Sequence, residues 1–80
     1  MDAGVVMFNV GDVVWFKEGV VDNWLNKKMK VISITPEYYK ATLMETISNT
    51  WQKGDNYQIR LTDERICRVY DKKNHWPNWF

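Results

Sequence analysis

VGDVVWF, residues Val10 to Phe16, decides the fold class. Gly11-Asp12 is a turn signal, and the run behind it is β-branched and aromatic, the composition of a strand. If this run is a strand, those downstream fall into step with it. Lys28 to Ile34, KMKVISI, begins with a period of two and becomes apolar on both sides at Val31-Ile32, as a bent strand would. Thr35-Pro36-Glu37 is a turn: Pro36 has no N–H for a ladder, and Thr35 is biased to extended geometry. Tyr38 to Thr46, YYKATLMET, reads as a third strand, with Tyr39, Ala41 and Leu43 on one face. Ala41, Leu43, Met44 and Glu45 favour helix intrinsically. Their Thr and Tyr neighbours and the turn signals on either side favour strand. Tyr57 to Leu61 alternates with Tyr57, Ile59 and Leu61 inward and Gln58 and Arg60 outward, and Arg65 to Tyr70 supplies a fifth strand.

Two connections are long. Glu18 to Asn26, EGVVDNWLN, is a loop by its Gly, Asp and Asn content, yet it carries Val20-Val21 and Trp24-Leu25. So much apolar surface should fold back over the body. Ile47 to Asn56 is a second loop and carries Trp51. No segment shows a helical stripe of useful length. The expectation is an all-β, small five-stranded antiparallel barrel over residues 1–70, closed or nearly so because closure leaves fewer unpaired edges. An extended aromatic C-terminal arm follows over residues 71–80. Gly11-Asp12-Val13-Val14, a variable loop, then Met29-x-Val31-x-x-Ile34 resembles the opening of SH3-like small barrels and is distantly similar to the YodC-like group. The resemblance covers residues 10–34. It implies a fold and no activity, since such barrels serve as peptide readers, nucleic-acid readers and assembly parts.

Composition narrows the classes of function. Eighty residues allow one domain, of marginal stability for its size. Cys67 is the only cysteine, so no internal disulfide forms, and one free thiol suits a reducing, cytoplasmic setting. With His75 the only histidine, no Cys/His metal site can be built from one chain, and neither metal nor other cofactor is expected. The N-terminal residues lack the pattern of a signal peptide, and no apolar stretch is long enough to span a bilayer. No catalytic set emerges. His75 lies apart from any nucleophile, and Asp12, Asp63 and Glu64 read as turn residues. Cys67 between Arg65 and Arg68 suits an activated thiolate if exposed. The preferred reading is a small core residue.

The aromatic side chains are the strongest functional signal. Trp24, Tyr38, Tyr39 and Trp51, with Tyr57 nearby, are candidates to form one partner-binding surface, suited to a Pro-rich peptide, a base or a methylated cation. Core packing under the long loops competes with that reading at each position. In the tail NHWPNWF, Trp76, Trp79 and Phe80 follow a polar stretch and are stiffened by Pro77. Three outcomes stay open: a lid on its own barrel, an arm onto a second copy, and a hook for another protein. The leading expectation is a non-enzymatic protein-interaction module, of the character of a small phage or mobile-element accessory protein acting on a host protein. The alternative is a nucleic-acid-binding barrel using Lys28, Lys30, Arg60, Arg65 and Arg68. A net charge of +1 dilutes that second reading.

Overall fold

The computed structural model describes residues 7–69. Five strands form one antiparallel sheet: β1 (Val13–Phe16), β2 (Met29–Ile34), β3 (Tyr38–Leu43), β4 (Asn56–Arg60) and β5 (Ile66–Arg68). Their spatial order is β4-β3-β2-β1-β5. Consecutive strands pair from β1 to β4, and the chain then crosses to place β5 on the free side of β1. No helix occurs among the described residues. The hydrogen-bonded sheet is open, with β4 and β5 as its edges. A closed ring of strands is therefore not what the ladder forms. Thr62 to Glu64 turn rather than extend, and β5 has only three residues with which to pair.

Alternation places the core. Val14, Phe16, Met29, Val31, Tyr39, Ala41, Leu43, Ile59 and Ile66 point to one side and are buried there with Phe8 and Ile47. Period two makes this possible, since alternate residues of each strand turn to the core; β1 is apolar on both faces, and β2 breaks the period once. Tyr39, Ala41 and Leu43 share the buried face as expected. Between Val31 and Ser33 the register shifts, a β-bulge at the doubly apolar Val31-Ile32. The extra residue bends the strand, so Ile32 emerges exposed beside a buried Val31.

β1, β2, β3 and β5 are all shorter than the sequence suggested, β5 most of all, since Arg65 and Val69 turn rather than extend. β1 begins at Val13, because Gly11 adopts a left-handed φ of 98° and Asp12 turns the chain. β3 stops at Leu43, where Gly54 and Asp55 close a wide hairpin with it: Gly54 N donates to Leu43 O and Leu43 N to Asp55 O, both at 2.8 Å. Asp12 is more than a turn residue. Its carboxylate is buried, accepts from Asn9 N at 2.7 Å and pairs with Arg68 Nε at 2.9 Å. This ties the N-terminal turn to β5, 56 residues later. The expected aromatic arm, residues 71–80, lies outside the described residues.

Candidate functional site

The site begins with the connection between β1 and β2. Lys17 N donates to Arg65 O and Asn26 N to Phe16 O, which pins both ends of this connection beside β1. Between them Trp24 N donates to Val21 O and Leu25 N to Asp22 O, a tight turn, and Leu25 makes a parallel bridge to Phe16. Asn26 takes a left-handed φ of 59° at the exit, a conformation Asn tolerates better than most residues. Hence the loop folds back on the sheet, as its apolar content required, and carries Trp24 with it.

Trp24 meets three other rings. It lies 4.8 Å from Tyr57, 5.5 Å from Trp51 and 6.1 Å from Phe16, measured between centroids. Tyr57 and Trp51 touch edge to face at 5.3 Å. Trp51 arrives on the β3–β4 connection, where Ser48 Oγ accepts from Trp51 N and Trp51 O accepts from Ile47 N and Ser48 N. Tilted and edge-on geometry is what aromatic quadrupoles favour. Phe16 is fully buried beneath this cluster, and the other three rings are half-buried.

Beside the cluster lies a recess of about 520 Å³, lined by Phe16, Gly19, Val20, Val21, Trp24, Tyr57 and Arg65. Its walls are apolar and aromatic. Val21 stands 68% exposed at its edge. Arg65 supplies the charge. Its guanidinium lies over the Phe16 ring at 5.0 Å, donates to Gly19 O at 3.1 Å and grips Asp63 with Nε and Nη2 at 2.9 and 2.7 Å. That hydrogen bonding holds the Asp63 carboxyl below its usual value against the opposing effect of burial, and raises Arg65. A Cβ on Gly19 would lie 2.5 Å from Arg65 Cδ, and Gly19 has a φ of +78°. Glycine there lets the loop seat against the arginine.

The residues singled out from sequence separate into three places. Trp24 and Trp51 come together. Tyr39 is corrected: it is 1% exposed, its ring packs on Phe8, and its hydroxyl accepts from Phe8 N, so it offers no binding surface. Tyr38 points to the opposite face, where Arg60 lies over its ring at 5.3 Å. The predicted convergence of Trp24, Tyr38, Tyr39 and Trp51 does not form, because adjacent strand residues cannot share a face. Trp76, Trp79 and Phe80 lie outside the described residues. The basic set divides too. Lys28, Lys30 and Arg60 are exposed, whereas Arg65 and Arg68 are ion-paired to Asp63 and Asp12. Arg68 also lies over the Phe8 ring. Cys67 is likewise corrected: it pairs with Trp15 on the face away from Ile66 and is half-buried rather than core.

Phe16, Val20, Val21 and Arg65 were not assigned to this recess from sequence. The available signal was the apolar content of EGVVDNWLN, which called for a surface to cover. No cluster of His, Cys, Asp and Glu suited to a metal ion occurs among the described residues. The chain matches no protein-family model, no curated protein and no solved structure.

Proposed function

We propose that this chain is a non-enzymatic protein-interaction module on an SH3-like small barrel, with the Val21-Trp24-Tyr57 recess, floored by the buried Phe16, as its docking site. The strand order, with β5 beside β1 and a long loop between β1 and β2, supports the barrel reading. The observation that carries the function is the recess itself: aromatic and aliphatic walls with one guanidinium at the rim. Such a lining favours an extended, proline-rich segment of a partner, whose rings lie flat on aromatic walls and whose stiffness lowers the entropy lost on docking. Trp76, Trp79 and Phe80 belong to the proposal as further anchors for a partner.

The test is an amide NMR titration of the full chain with a panel of proline-rich peptides. Shifts should concentrate at Phe16, Gly19 to Trp24, Tyr57 and Arg65. Val21→Asp, on an exposed side chain, should weaken binding at least tenfold without loss of fold. Absence of shifts with every peptide at millimolar concentration rejects the reading, as does equal binding by Val21→Asp.

A further inference from the structure

The opposite face of the sheet carries an arrangement that the recess does not use. β2, β3 and β4 contain no carboxylate at all, yet they carry Lys30, Lys40 and Arg60. All three are exposed on the side away from the core, each beside a buried residue of its strand. Lys30 pairs across the ladder with Thr42, Lys40 with Gln58, and Arg60 with Tyr38. Each cation thus stands one strand over and two residues along from the last. Strands about 4.8 Å apart and a rise of about 3.3 Å per residue make each diagonal step about 8 Å. The same diagonal continues onto β1 at Trp15, two residues beyond Val13, the partner of Lys30.

The row is cationic along its middle and aromatic at both ends. Trp15 is half-buried on β1, and Tyr38 lies under the Arg60 guanidinium. Thr42, Asn56 and Gln58 fill the spaces with uncharged polar groups. Lys30, Lys40 and Arg60 have no carboxylate partner among the described residues, unlike Arg65 and Arg68. Lys28 precedes β2 and is not part of the row; beside it the Glu45 carboxylate accepts from the Lys28 backbone N–H at 2.8 Å. A net charge of +1 for the chain therefore conceals three adjacent strands whose only charged side chains are cations.

We propose that this face binds single-stranded nucleic acid, with the phosphates tracking Lys30, Lys40 and Arg60 and bases stacking at Trp15 and against the Arg60–Tyr38 pair. A row of cations with flanking rings is the arrangement that holds a flexible polyanion bearing planar groups. The residues differ from a general basic patch: Lys40 joins, and Arg65 and Arg68 drop out because they are neutralised within the fold. The site is independent of the recess on the core side.

The experiment is fluorescence anisotropy of the full chain with a labelled oligothymidylate. Three phosphate contacts on a single strand give a slope of log K against log salt of about −2, or about 15-fold weaker binding from 50 to 200 mM salt. Lys30→Gln/Lys40→Gln should lose at least tenfold in affinity at low salt. Adding Arg60→Gln should abolish binding, with circular dichroism confirming the fold of each variant. Val21→Asp should leave oligonucleotide binding unchanged. The proposal is overturned by any one of four results: no binding at low salt, full binding by the double variant, tighter binding to a duplex of equal length, or binding to phosphatidylserine vesicles but not to the oligonucleotide.

Discussion

Single residues in this chain act through position on a face more than through chemical type. Tyr38 and Tyr39 are neighbours of one kind, yet one supports a surface arginine and the other closes the core. Asp63 shows how a local pair becomes a pH dependence. Its folded carboxyl is lowered chiefly by the hydrogen bonds from Arg65. Stability from the pair is therefore fully present above the unfolded carboxylate's value of about 3.9, and is lost as pH falls through the lowered folded value. Arg65 is 44% exposed in its side chain, so the contribution is screened and should stay below about 1 kcal/mol. Urea unfolding of Asp63→Asn and the native chain should differ at pH 7 and converge near pH 2. A gap that persists or widens in acid would contradict this assignment.

Among the elements, the two long connections do the work that short strands cannot. β5 has three residues and β1 four, so neither brings much apolar surface of its own. The β1–β2 loop supplies Val20 and Trp24, and the β3–β4 loop supplies Trp51, all packed against the core. Trp51 is the joint between them, touching both Trp24 and Tyr57. Trp51→Ala should cost about 3 kcal/mol, the lower end for truncating a large aromatic, because the ring is only half-buried. Near-ultraviolet circular dichroism should weaken in parallel as Trp24 loses its edge-on neighbour. A cost under about 0.5 kcal/mol would show that the loops seat on the sheet independently of each other.

For the whole molecule, topology sets the expected kinetics. β1 is complete only when β5 arrives from the far end of the chain, and the Asp12–Arg68 pair closes the same long span. Non-local pairing of this kind slows folding, so refolding should fall in the millisecond-to-second range. Stopped-flow tryptophan fluorescence measures it, and submillisecond refolding would mean that the β1–β5 pairing is not part of the rate-limiting step. Strand number, strand type and the buried faces of β3 and β4 were legible in the sequence, because period-two alternation is a local property. So was the folding-back of EGVVDNWLN, since its apolar residues needed cover, although only Val20 and Trp24 found it on the core and Val21 stayed exposed. The bulge was legible only as a doubly apolar Val31-Ile32. The recess was not, because it joins the β1–β2 loop to Tyr57 on β4 and to Arg65, which arrives only when β5 docks on β1. Nor was the cation row, since its diagonal depends on three inter-strand registers at once. By itself the sequence determined an all-β chain and which residues turn inward, because those follow from nearest-neighbour geometry. Only the tertiary structure decided that the sheet stays open, that Arg65 and Arg68 are neutralised, and that Lys30, Lys40 and Arg60 stand in line. Those outcomes depend on the order and register in which distant strands pair.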